Sequence, residues 1–169
     1  MNTEEQTLKR LESQVVLVTG ASSGFGRSIA LACAGEGARV ALVARRKDAL
    51  SDVAAEIEAA GGQALVCPAD LSVEGQVEAA VERVQAQLGA IDLLVNNAGT
   101  NVLARRVTET SAAEFRTLLE VNLTSAFLFT HAILPAMIQR GQGTLVNISS
   151  RAALHPDLVA GVGYSAAKM

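Results

Sequence analysis

Five short runs rich in Val, Leu, Ile and Ala recur along the chain, and amphipathic stretches follow them. This alternation constrains the fold more than any other feature. A strand covered on both faces reads as an unbroken apolar run, and a helix between successive strands forces parallel pairing with right-handed crossovers. The expected strands are 15–19, 39–44, 63–67, 93–96 and 144–149. The expected helices are about 25–36, 48–60 and 74–88, with a long helical region at 111–139. Leu50, Val53, Ile57 and Ala60 share one helix face, and Val77, Val81, Val84 and Leu88 share another. Gly37, Gly61-Gly62 and Gly89 stop the first three helices. Ser22 or Ser23 caps the first, and Ser111 with Glu114 matches a capping box. Pro135 is expected to bend or interrupt the long region near its C-terminal end. Residues 151–163 read as a loop, and a last helix starts near Tyr164. The expected class is α/β: a doubly wound parallel sheet in one domain, 14–169, after a polar arm, 1–13.

Composition narrows the partners. Half of the 169 residues are apolar and 3% are aromatic, so the core is built from Ala, Val, Leu and Ile. Charged residues make up 18%, too few for a disordered chain of low hydropathy. Fourteen Lys and Arg against seventeen Asp and Glu leave a net charge of −3. The only dense basic cluster is Arg45-Arg46-Lys47, so no nucleic-acid partner is expected. No uninterrupted apolar run exceeds about six residues, against ~20 for a spanning helix, so no membrane partner is expected. The polar N-terminus fits neither a signal nor a transit peptide. Cys33 and Cys67 lack metal or redox spacing and read as buried, reduced thiols of a cytoplasmic protein; no metal is expected.

The first strand runs into Gly20-Ala21-Ser22-Ser23-Gly24-Phe25-Gly26. Glycines here permit a tight turn at Gly20, approach of a ligand at Gly24 and close helix packing at Gly26. The helix N-terminus then offers free N–H groups to a pyrophosphate, as in Rossmann-like folds. The spacing G-x3-G-x-G is neither G-x-G-x-x-G nor a P-loop, so an ordinary Gly-rich turn stays open. The second strand ends at Ala44-Arg45-Arg46 with no acid. An acid there would accept from the ribose 2′-OH of NAD(H), whereas Arg pairs with a 2′-phosphate. NADP(H) is therefore preferred over NAD(H), the alternative being a solvated start to the second helix.

Five segments now stand in one order: Thr19 to Gly26, Asn96-Asn97-Ala98-Gly99, a lone Asn122, Asn147-Ile148-Ser149-Ser150, and Tyr164-Ser165-Ala166-Ala167-Lys168. In these, the chain resembles the short-chain dehydrogenase/reductase family from about residue 15 to residue 168. The resemblance implies that Gly20, Ser22, Ser23, Gly24, Phe25 and Gly26 line the cofactor phosphates. It implies Asp70 and Leu71 at the adenine, and Asn97, Ala98 and Gly99 beside the adenosine ribose. Arg45 matches the position of NADP-preferring members, with Arg46 beside it. Asn122, Ser150, Tyr164 and Lys168 would form a catalytic tetrad, with Tyr164 and Lys168 also against the cofactor.

The implied chemistry is interconversion of a ketone or aldehyde and an alcohol by hydride transfer. Tyr164 and Lys168, at i and i+4, share a helix face, and a nearby ammonium favours phenolate. Tyr164 would pass the proton, Ser150 would hydrogen-bond the substrate oxygen, and Asn122 would hold a water linking Lys168 to solvent. Ser149 is the alternative to Ser150. His131 and His155 read as structural. A non-catalytic NADP-binding protein and an inactive fragment remain competing readings. The chain ends one residue after Lys168, whereas family members continue. Residues 1–169 are thus expected to be part of a longer polypeptide, with strand 144–149 an exposed edge. The complete protein would be a homodimer or homotetramer acting on a small carbonyl or alcohol.

Overall fold

The computed structural model describes residues 9–169. Its strands are β1 (Val15–Thr19), β2 (Arg39–Ala44), β3 (Gln63–Pro68), β4 (Leu93–Asn96) and β5 (Thr144–Asn147). Its helices are α1 (Gly24–Gly35), α2 (Lys47–Ala59), α3 (Glu74–Leu88), α4 (Ala112–Leu119), α5 (Ser125–Arg140), α6 (Arg151–Leu154) and α7 (Val162–Lys168). All strand pairs are parallel, in the order β3-β2-β1-β4-β5. The order reverses between β1 and β4, and that switch point leaves a crevice at the carboxyl ends of the strands.

The unbroken apolar character of β1 is explained by two cores. Val15 and Leu17 join the layer containing α3 and α5, with Val81, Val84, Phe129 and Ile133. Val16 and Val18 join the layer containing α1 and α2, with Ala30, Cys33, Leu50 and Ile57. Burying each Val, Leu or Ile contributes about 1.5–3 kcal/mol before the entropy of ordering is subtracted. Both cysteines are buried free thiols, and burial raises their pKa.

Residues 1–8 of the polar arm lie outside the described residues. The rest of the arm is docked: the Leu11 and Ser13 N–H groups donate to the Glu36 and Gly37 carbonyls at 3.0 and 3.1 Å. Leu11 also packs on the α1–α2 layer.

Several boundaries differ from the sequence reading. Ser23 is the N-cap of α1, yet its side chain makes no cap hydrogen bond. The Ser111–Glu114 capping box is present in full. The long helical region is continuous and departs from α geometry at a π-turn, Glu120–Thr124, and not at Pro135, which α5 carries without interruption. Pro135 is exposed, so water can hydrate the carbonyl its ring leaves without a partner. Strand β5 stops at Asn147 because Ser149 and Ser150 turn away to serve α7 and α6. The expected loop 151–163 contains α6, and α7 starts at Val162. Residues 112–140 are long and apolar enough by composition to cross a membrane, which counting uninterrupted runs missed. In this domain they lie along the sheet, burying Phe129, Ile133 and Met137 and leaving Leu123, Phe127 and Ile138 exposed.

Candidate functional site

The crevice is built around Thr19, which the sequence placed at the head of the glycine loop without a role of its own. Buried at the end of β1, its Oγ1 accepts from the N–H groups of Asn97 and Ala98, both at 3.0 Å. Asn97 Nδ2 donates to the Thr19 carbonyl at 2.9 Å. These bonds pin the loop after β4 against the loop after β1. Gly20 has φ +67°, and a Cβ on it would lie 2.9 Å from the Ala98 Cα. A Cβ on Gly26 would lie 2.3 Å from the Gly20 carbonyl oxygen. Gly24 differs: a Cβ would meet nothing within 4 Å, and its φ of +55° alone demands glycine.

A cleft of about 540 Å³ opens here, lined by Gly20, Ser22, Ser23, Phe25, Gly26, Arg45, Arg46, Asp70, Leu71, Asn97, Ala98 and Gly99. Every residue expected at the dinucleotide phosphates, adenine and adenosine ribose lines it, except Gly24. Ala44, Thr100 and Val121 line it too and were not anticipated. Ser72 donates to Asp70 Oδ1 from N–H at 3.0 Å and from Oγ at 2.8 Å. These bonds hold the carboxyl below its usual range, and the nearby Arg45 charge adds to the effect.

A second cleft, of about 620 Å³, adjoins the first through Phe25, Asn97, Gly99 and Thr100. Ser149, Ser150, Tyr164 and Lys168 come together in it, with Asn101 and Ile148. The two serines are engaged differently. Ser149 Oγ donates to the Lys168 carbonyl at 2.7 Å. Ser150 Oγ accepts from the Ala152 N–H at 3.1 Å, which caps α6 and leaves its own proton uncommitted. Lys168 Nζ donates to the Ile148 carbonyl at 3.0 Å, and burial lowers its pKa from 10.5.

Asn122 sits in the π-turn, buried, and does not line that cleft. Its Nδ2 donates to the Thr100 and Leu118 carbonyls, both at 2.9 Å, and its Oδ1 accepts from the Thr100 N–H at 3.1 Å. It approaches the lysine across Gly99: a Cβ there would be 3.0 Å from Asn122 Oδ1 and 3.4 Å from Lys168 Nζ. Asn96 ties the adjacent strands, donating to Asn147 Oδ1 at 2.9 Å. No cluster of metal-ligating side chains occurs among the described residues.

A parallel sheet with a glycine-lined cleft at its switch point defines a Rossmann-like α/β domain. A family model described as short chain dehydrogenase matches residues 14–169, and the chain belongs to that family. A short chain dehydrogenase of Pseudocercospora fijiensis is 38% identical over 148 residues, covering 87% of this chain and 48% of the relative. The crystal structure of a metagenomic short-chain oxidoreductase in complex with NADP is 41% identical with a TM-score of 0.89. It aligns with 94% of this chain and 71% of its own. A 7α-hydroxysteroid dehydrogenase, complexed with NADH and 7-oxo glycochenodeoxycholic acid, is 32% identical with a TM-score of 0.88. It aligns with 95% of this chain and 62% of its own. The chain spans about half the length of the curated relatives it matches, 48% and 49% of two of them.

Proposed function

We propose that this chain carries the cofactor and reaction sites of an NADP(H)-dependent oxidoreductase that interconverts a ketone or aldehyde and an alcohol. The observation that carries the reading is the shared cleft: Ser150, Tyr164 and Lys168 line one cavity that opens into the glycine-lined one. The residues fit a dinucleotide. The Ser23 side chain makes no cap hydrogen bond to the first amides of α1, so those donors are left for a phosphate. Arg45 and Arg46 are exposed at the end of β2, where a 2′-phosphate would be paired. One relative is described with NADP and another with NADH, so the preference rests on these arginines.

The nicotinamide, when bound, supplies or accepts the hydride. Tyr164 gives its phenolic proton to the carbonyl oxygen in reduction and takes it back in oxidation. Ser150 donates its uncommitted proton to the same oxygen. Ser149 is poorly suited to that part, because its proton is spent on the Lys168 carbonyl. Lys168 spends one of its three protons on Ile148 and keeps two for ribose hydroxyls. Neither amide proton of Asn122 is free for a bridging water. We assign it a positioning part: it clamps Thr100 and so holds Gly99 beside Lys168 Nζ.

Turnover of NADPH against a panel of aldehydes and ketones tests the reading, with cofactor binding followed by fluorescence quenching. Tyr164→Phe should abolish turnover and spare binding; retained activity removes the role given to Tyr164. Wild-type binding without turnover favours a non-catalytic NADP-binding protein. Arg45→Ala should lower kcat/KM with NADPH roughly 10–100-fold, the value of one charge-assisted contact, and leave NADH nearly unaffected. The exposed Leu123, Phe127 and Ile138 suit a homodimer or homotetramer, which light scattering measures. The two buried free thiols suit the reducing cytoplasm.

A further inference from the structure

Tyr164 is the third residue of α7, a helix of seven residues, so whatever fixes the N-terminal end of α7 fixes the phenol. The opposite end is held by Ser149 Oγ, which donates to the Lys168 carbonyl at 2.7 Å, and by Lys168 Nζ, which donates to the Ile148 carbonyl at 3.0 Å. Neither bond reaches the first turn. The chain enters α7 through Ala160 and Gly161, and Gly161 has φ +83°. Ala160 is gripped from two sides. Its N–H donates to Asp157 Oδ1 at 2.7 Å, within the same loop. Its carbonyl accepts from Asn101 Nδ2 at 3.0 Å, across 59 positions of sequence.

Asn101 belongs to the opposite wall, the loop after β4, and lines the reaction cleft with Ser150, Tyr164 and Lys168. Its backbone is anchored, because the Thr100 carbonyl accepts from Asn122 at 2.9 Å and the Thr100 N–H donates back at 3.1 Å. Its Oδ1 accepts from the Val102 N–H at 2.9 Å, which orients the amide. The side chain thus spans the mouth of the cleft, from a loop clamped by the π-turn to the start of α7. A second bond between the two segments, from the Val162 N–H to the Arg105 carbonyl, is longer at 3.3 Å. Tyr164 and Lys168 move together on one helix, whereas Ser150 is fixed separately as the cap of α6. Loss of the strut therefore displaces the phenol from Ser150 and leaves the Tyr–Lys pair intact. A displacement of about 1 Å at a reacting group costs about 100-fold in rate.

We propose that Asn101 is a positioning residue: by holding the Ala160 carbonyl across the reaction cleft, it sets where Tyr164 presents its hydroxyl to the substrate oxygen. This rests on the oxidoreductase reading above. Asn101 does not line the dinucleotide cleft, so it serves the reacting end and not the phosphates.

Three variants test it. Asn101→Ala removes both side-chain bonds, Asn101→Asp keeps the acceptor for Val102 and removes the donor, and Asn101→Gln keeps an amide donor. On the carbonyl compound that wild type reduces fastest, Asn101→Ala and Asn101→Asp should lower kcat roughly 10–100-fold, and Asn101→Gln should recover part of the loss. NADPH binding, read by fluorescence quenching, should not change. The Tm should fall by at most about 6 °C, the value of one exposed hydrogen bond. The slowing of kcat by heavy water should grow, because transfer of the Tyr164 proton becomes slower. A merely structural loss lowers the folded fraction and leaves that isotope effect where it was. Wild-type kcat in Asn101→Asp overturns the proposal and leaves the oxidoreductase reading intact. A lowered kcat with an unchanged isotope effect does the same, as does Asn101→Gln no better than Asn101→Ala. Composition supplies a readout without turnover: Tyr164 is the only tyrosine and there is no tryptophan, so the tyrosine fluorescence reports this one ring. Release of the first turn of α7 should raise its quenching by acrylamide in Asn101→Ala and Asn101→Asp, and unchanged quenching in both overturns the proposal. If wild type reduces nothing, the oxidoreductase reading falls, and quenching alone decides whether Asn101 holds Tyr164. If Asn101→Ala does not fold, Asn101→Asp against Asn101→Gln makes the same comparison.

Discussion

Gly26→Ala places one methyl group where the fold has no room for it. Its Cβ would lie 2.3 Å from the Gly20 carbonyl oxygen, 2.5 Å from Asn97 Nδ2 and 2.8 Å from the Gly20 carbonyl carbon. Two of these are backbone atoms. Gly20 cannot back away easily, because its own position is hemmed in by Ala98 and held at φ +67°. Displacing Asn97 instead breaks its 2.9 Å bond to the Thr19 carbonyl. Overpacking of this kind costs about 1–3 kcal/mol, and the lost hydrogen bond adds about 0.5–1.5 kcal/mol. The sum, about 1.5–4.5 kcal/mol, corresponds to a fall in Tm of roughly 3–18 °C for a domain of this size. The shifted loop should also weaken NADPH binding, read by fluorescence quenching. Gly75→Ala is the control: it has an ordinary φ within α3 and nothing within 4 Å of the added methyl. It should be neutral or stabilise by up to about 1 kcal/mol. If Gly26→Ala melts with wild type and binds NADPH equally well, close packing of the two loops is not what selects glycine there.

The two serines should separate. Ser150→Ala should lower kcat about 10²–10³-fold, whereas Ser149→Ala should act mainly on stability, by about 1 kcal/mol; the reverse pattern in kinetics and melts would exchange their roles. Asn122→Ala leaves Thr100 and Leu118 groups without partners and should cost about 2–4 kcal/mol in urea unfolding. A loss below about 0.5 kcal/mol would mean water replaces the amide fully. Lys168 carries a pKa below 10.5 in the folded state, so it gives up its proton at lower pH than the unfolded chain does. Between the two values the unfolded state binds more protons, and stability rises with pH there. Wild type should therefore gain stability relative to Lys168→Met as pH climbs toward 10.5, and a loss in unfolding midpoints over that range contradicts the burial argument.

The strands were legible because a parallel strand covered on both faces has a local signature, as Val15 to Thr19 shows. Sites set by backbone conformation were legible too: Gly20 and Gly24 both take positive φ where the motif placed them. The Ser111–Glu114 capping box joins residues three apart, so it was visible in one dimension. Other features depend on distant neighbours. Thr19 reaches Asn97 across 78 positions, and nothing in its local pattern marks it as the hub of the crevice. The choice between Ser149 and Ser150 turns on the Lys168 carbonyl, 19 residues away. Residues 151–154 looked like loop because four residues carry no helical period; Ser150 caps them only once the turn out of β5 is made. Periodicity, propensity and glycine conformation belong to neighbours along the chain, and they settled the α/β class and the nucleotide loop. Which side chains converge, and which donors are left without a partner, depends on crossovers that bring β1, β4 and α7 together. The reaction cleft was therefore decided by the tertiary structure alone.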